Sequence, residues 1–269
     1  MRTFSLRVSL LAAIVLGVLV VGGSTSYANH SWGSYHWART SNPFTLKLGD
    51  NMTTTAWKAA LNTASTDWSA DTGGNPLNTT VVTGSTNPKN CRAVAGTVQV
   101  CNSKYGGNGW LGLAQIWLSN GHIAQGTAKM NDTYFGQAKY NNPNEKLHVV
   151  CQEVGHTFGL GHTSEDGSSQ NTCMDYYSNT GVNAGSTLST KPNAHDYDQL
   201  AAIYAHLDST TTVAAATAAG KSGFAPGKGG ANGVDGHGTP GGASRERGDW
   251  YVEDLGNGVK LITHITWAQ

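Results

Sequence analysis

Residues 148–176 read HVVCQEVGHTFGLGHTSEDGSSQNTCMDY, and the local folding of this stretch decides what the rest of the chain must support. On a helix, positions 152 and 156 are about 400° apart, which is about 40° once a full turn is removed, with about 6 Å of rise between them. Gln152 and His156 therefore share a face, and Glu153, three residues before His156, lies on it too. Gly159 and Gly161 allow a sharp exit from that helix, because glycine adopts positive φ without a Cβ clash. The reversal can return His162 to the same point. Two imidazoles, one further ligand and a neighbouring carboxylate make a zinc site with a position left open for water.

Other nearby side chains are less well placed. His148 precedes His156 by eight residues, about 12 Å along a helix, too far for both rings to meet one ion at about 2.0–2.1 Å. Cys151 is rotated about 140° from His156 and faces away, which favours a disulfide over a ligand role. The chain has four cysteines, Cys91, Cys101, Cys151 and Cys173, which allow three pairings. We expect 91–101, across what reads as a hairpin, and 151–173, flanking the histidine segment. His122, His195 and His206 have no ligand spacing.

Periodicity organises the flanks. Phe44 to Leu48 alternates as a strand does, and Trp57, Ala60, Leu61, Ala64 and Trp68 recur on one helical stripe. Strand-like runs follow at 79–83, 94–101, 110–118 and 122–130, the last two joined by Asn120-Gly121, a strong hairpin signal. Helices are expected from Glu145 to Phe158, after Pro143, and from Ala194 to Leu207. Residues 220–242 contain ten glycines, too many to bury a core, so 208–244 reads as a flexible linker. Alternation resumes at 249–267 around Gly256-Asn257-Gly258, giving a terminal hairpin segment, 245–269. A lone hairpin is marginal in water, so this one should pack on the body or on a partner.

With 17 basic and 17 acidic residues in 269, the chain has no net charge to steer it to nucleic acid or an anionic membrane. Charged residues are only 13%, which excludes a coiled coil or a histone-like binder and suits an extracellular surface of Asn, Ser, Thr and Gly. Arg2 and Arg7 precede an apolar run from Leu10 to Val21, followed by Ser26-Tyr27-Ala28. Residues 1–28 read as a signal peptide: twelve apolar residues span about 18 Å, short of a roughly 30 Å hydrocarbon core. The even cysteine count agrees with export, and no membrane span is expected after cleavage.

The spacing of Glu153, His156, Gly159 and His162, with Met174 twelve residues beyond, resembles the metzincin zinc peptidase signature, H-E-x-x-H-x-x-G-x-x-H followed by a methionine turn. GHTFGLGH at 155–162 is especially similar to matrixins, the matrix metalloproteinase group. LAQIWLSNGHIAQGTAKMNDTYF at 113–135 resembles their edge-strand hairpin and HDYDQLAAIY at 195–204 their final helix. The resemblance covers about residues 44–207. It implies an α+β fold over 29–207: a twisted mixed five-stranded sheet, an active-site helix, a methionine turn and a C-terminal helix. It further implies Zn2+ as cofactor, His156 and His162 as ligands, and Glu153 as general base on the metal's water. CMDY at 173–176 is closer to astacins, where the tyrosine two residues after the methionine sits at the metal, and Tyr176 takes that role by resemblance.

Gln152 stands where the first zinc-binding histidine belongs, and Gln115 where matrixins carry a structural-zinc histidine. An amide oxygen at 152 reaches about as far as an imidazole nitrogen, so the expected ligand set is Gln152, His156 and His162, with weaker affinity because a neutral carbonyl is a poorer zinc donor. Two readings follow. One is a secreted, monomeric zinc endopeptidase acting on protein or peptide substrates. The other is a catalytically inactive metzincin-like domain serving as an extracellular binding module. Glu153 separates them, since a folded scaffold has no need of a carboxylate there.

Overall fold

A computed structural model describes residues 30–70, 73–214 and 249–269. The leader read in 1–28 and most of the glycine-rich stretch 208–244 lie outside the described residues. Within them the chain runs β1 (Phe44–Asn51), α1 (Thr55–Trp68), β2 (Leu77–Thr83), β3 (Thr97–Ser103), β4 (Trp110–Ser119), β5 (His122–Asn131), α2 (Asp132–Phe135), α3 (Pro143–His156), α4 (Ala194–Ile203), β6 (Trp250–Gly256) and β7 (Val259–Trp267), with one 3-10 turn at Gly181–Asn183. None of the described helices is long and apolar enough to cross a membrane.

The helices start where the sequence supplies an oxygen for the free N–H groups. Thr54 caps α1, Asn142 caps α3 by accepting from the Glu145 amide, and Pro143 takes the first turn, where no N–H is needed. The apolar stripe of α1, Trp57, Ala60, Leu61, Ala64 and Trp68, is buried, and α1 packs on α3 and on β1 and β2. Helix α3 lies over β4 and β5, and Trp68 Nε1 donates to the Cys151 carbonyl at 3.1 Å, tying the two helices together. Asn193 and Asp196 form a reciprocal cap on α4. That helix stops at Ile203, short of the expected Leu207. The Tyr204 carbonyl instead accepts from Arg39 and from Asn42, and this turns the chain away.

The sheet order is β2-β1-β3-β5-β4-β7-β6. Strands β1, β2, β3 and β5 run parallel, while β4, β6 and β7 join antiparallel. The mixed α+β class is as expected, but the sheet has seven strands where five were read. The two extra strands are the terminal hairpin, seated along the free edge of β4. An edge strand offers a row of unpaired N–H and C=O groups, and a hairpin that cannot stand alone satisfies them. Both Asn-Gly turns adopt the positive φ pair their hairpins require: Asn120 50° and Gly121 85°, Asn257 53° and Gly258 75°.

Both expected disulfides are present. Cys151–Cys173 joins α3 to the segment bearing Met174, and Cys91–Cys101 joins β3 to the preceding loop. The latter does not span a hairpin, since β3 pairs in parallel with β1 and β5. Residues at the start of the expected linker pack on the body: Thr212 N–H donates to the Ala38 carbonyl, Ala214 N–H to Gly96, and Asp208 pairs with Arg39 at 2.9 Å.

Alternation along β7 sends its residues to two different places. Ile262 enters the main core, and His264 and Thr266 reach α3 side chains, while Ile265 packs with Trp110 and Leu113 on the opposite face. Ile262 and Ile265 are fully buried, each worth about 1.5–3 kcal/mol, so docking of the hairpin is strongly favoured.

Candidate metal centre

Helix α3 brings Gln152, Glu153 and His156 into the interior, each with no exposed surface. The helix ends at His156, and Gly159 reverses the chain at φ +97°, in a place where a Cβ would run into the Tyr35 carbonyl. Gly161 passes close under the His30 carbonyl, to which its own N–H donates at 2.5 Å. The reversal brings the ring of His162 to 4.9 Å from that of His156. Beneath them Met174 fills the space that Gly155 leaves open, since a Cβ on Gly155 would lie 2.5 Å from the Met174 sulfur. Thr163 N–H donates to the Met174 carbonyl at 2.7 Å, fixing the methionine turn beside the returning chain.

The third imidazole comes from elsewhere. His264 on β7 stacks on His156 with ring centroids 3.8 Å apart and meets His162 edge-on at 4.3 Å. One ligand nitrogen from each of His156, His162 and His264 lies within 4.8 Å of the others. His156 Nδ1–H donates to the Leu160 carbonyl at 2.8 Å, which fixes the tautomer and leaves Nε2 with its lone pair directed inward. That Nε2, both nitrogens of His162 and Nδ1 of His264 are buried without a hydrogen-bond partner. Burial holds the pKa of His156 and His264 well below the ordinary histidine value and lowers that of His162, so all three are neutral, as a metal requires. Buried, uncharged and unpartnered imidazoles fit a zinc ion.

Glu153 presses against β4, where Gly112 leaves room for it; a Cβ there would run into the carboxylate. Both its oxygens are buried without a hydrogen-bond partner, and burial pushes its pKa up to about 8. A divalent cation beside it would favour the ionised form.

Gln152, read from sequence as the first ligand, is engaged by the protein at both ends of its amide. Its amide oxygen accepts from Thr266 Oγ1 at 2.6 Å and its amide nitrogen donates to the Asp175 carbonyl at 2.8 Å, so both ends are occupied by the protein. Tyr176 stands near the metal site with its ring 4.1 Å from that of His162, but its hydroxyl donates to Asp249 Oδ2 at 3.0 Å. Asp249, just before β6, lies 3.6 Å from His162 Nδ1 and 4.0 Å from His264 Nε2. Burial raises its pKa, yet His162 and Tyr176 outweigh this and hold it below the usual carboxylate value. His148 is satisfied by Asn179 and the Asp175 carbonyl, consistent with a structural role. Sequence reasoning missed His264 and Asp249. The available signal was a lone histidine within the apolar run LITHITW at 261–267, together with an unfilled ligand position at 152.

No protein-family model and no curated protein sequence matches the chain. Among solved structures it is similar to high choriolytic enzyme 1, a hatching enzyme zinc-protease of the medaka fish Oryzias latipes, with 12% identity over 63% of this chain and 94% of that one, at a TM-score of 0.34. It is also similar to myroilysin, with 13% identity over 66% of this chain and 83% of that one, at a TM-score of 0.32. The likeness is slight in both.

Proposed function

We propose that this chain is a secreted zinc-dependent endopeptidase acting on extracellular proteins or peptides. The observation that carries the reading is the convergence of unpartnered imidazole nitrogens of His156, His162 and His264, with the buried, unpartnered carboxylate of Glu153 three residues before His156 on α3. A zinc ion bound there supplies Lewis acidity, polarising a carbonyl and making water a nucleophile near neutral pH. His156 and His162 would hold the ion, with the His156 tautomer set by Leu160. Glu153 accepts the proton of the attacking water and delivers it to the leaving amine. Tyr176, kept protonated by burial and by Asp249, offers a hydroxyl that can move to a developing oxyanion. The two disulfides agree with an oxidising, extracellular setting.

One observation favours the alternative, a metal-holding binding module. With β7 seated, His156, His264 and Glu153 are at most 3% exposed. Trp32 also packs against His156 and His264, so turnover requires the side chains that close the centre to move aside. The deciding experiment is peptide cleavage by the zinc-loaded full chain and by Glu153→Gln. The expected result is turnover by the parent and a loss of about 10²–10⁴-fold in the variant with zinc retained. A parent that binds zinc tightly and cleaves nothing supports the module.

A further inference from the structure

We propose that His264 is the third protein ligand of the metal, and that Gln152 is a positioning residue whose amide clasps the strand that brings His264 in. This rests on the metal reading of His156 and His162. Three independent features of the chain support it.

The first is chemical. Leaving an imidazole nitrogen buried without a partner costs its lost solvation, and His264 Nδ1 is in that condition. An ion shared with His156 and His162, whose ligand atoms lie within 4.8 Å of it, removes that cost. The second is geometric. In the β4–β7 register, His264 lies opposite Ala114 and Thr266 opposite Gly112, so the smallest side chains of β4 face the imidazole and the clasp. Strand alternation then holds Ile262, His264 and Thr266 on the side of α3.

The third is the clasp itself. Thr266 Oγ1 donates to Gln152 Oε1 at 2.6 Å, and Gln152 Nε2 donates to the Asp175 carbonyl at 2.8 Å, in the turn that also carries Met174. One amide thus links α3, the methionine turn and β7, two residues along the strand from His264. Gln152 sits on the ligand face of α3 one turn before His156, and its oxygen there accepts from β7. Asp249, at the start of the same hairpin, places a carboxylate beside His162 and His264, where it supports both rings and offsets part of the ion's charge.

The test is made on the full chain. Metal affinity is measured by chelator competition with zinc alone, and the donor set by X-ray absorption of the zinc-loaded parent, which needs no substitution. Three imidazole scatterers in the parent are expected; two imidazoles with an amide oxygen would overturn the proposal. His156→Ala and His264→Ala should each weaken zinc by more than 10²-fold, and Thr266→Val and Gln152→Ala by about 10–100-fold, with Thr266→Ser restoring the parent value. His264→Cys, loaded with cobalt, should show a thiolate charge-transfer band even if its affinity falls; a folded, cobalt-loaded protein without the band counts against ligation. Zinc lost in His156→Ala but kept in His264→Ala defeats this inference alone. Zinc kept in both defeats the metal reading of the site.

Discussion

At the scale of single residues, Gly112 and Lys129 each make a specific demand. Gly112 exists for Glu153: an added Cβ would displace the carboxylate and lie 2.7 Å from Val149 Cγ1. Gly112→Ala should therefore lower stability by about 1–3 kcal/mol and reduce turnover while zinc stays bound, as read by denaturant unfolding, metal content and kcat. On the other face of the sheet the Lys129 ammonium is buried and donates to Gln115 Oε1, while Gln115 Nε2 donates to Thr263 of β7. Burial lowers the Lys129 pKa from 10.5 to about 8. Between those values the unfolded chain keeps a proton that the folded chain has released, so stability should rise with pH, recovering on the order of 3 kcal/mol across the window. Below about pH 8 the whole cost is present. Urea unfolding of the parent and Lys129→Met from pH 7 to 10.5 checks this: the parent should show the rise and the variant should lose it, and equal slopes would exclude Lys129 as the source. Glu153, His156 and His162 were legible from sequence because a helical period and two glycines are local rules. His264 was not, because its place depends on strand pairing with a segment more than a hundred residues earlier, and a period of two does not say which edge a strand will join.

At the scale of elements, the hairpin brings His264 to the centre and the 151–173 disulfide ties α3 to the segment bearing Met174. Metal held partly by β7 should stabilise its docking, by roughly 2.7 kcal/mol when free zinc is a hundredfold above Kd. Removing zinc from the loaded protein should raise amide hydrogen exchange in β6 and β7 far more than in β3 or β5; unchanged exchange in β7 would show that metal and hairpin are not coupled. The disulfide closes a sequence separation of 22 residues, and Cys151→Ala with Cys173→Ala should cost about 3 kcal/mol of stability by denaturant unfolding. The elements themselves were read with small errors at their ends. The larger error was architectural: the hairpin was recognised, but its seat on β4 was not, since its alternation fits any open edge equally well.

At the scale of the whole molecule, the histidine cluster ties together the middle and the end of the described chain. Gln152 and its partner Thr266 are 114 residues apart. A ribosome adding about 5–20 residues per second needs roughly 6–23 s to travel between them, so α3 and the methionine turn leave the tunnel well before β7 exists. On the ligand set proposed above, the growing chain carries only a two-histidine fragment through all of that time. The three-imidazole set then comes together only after β7 has been made, so within each chain the centre matures later than the helix and turn that carry its first two histidines.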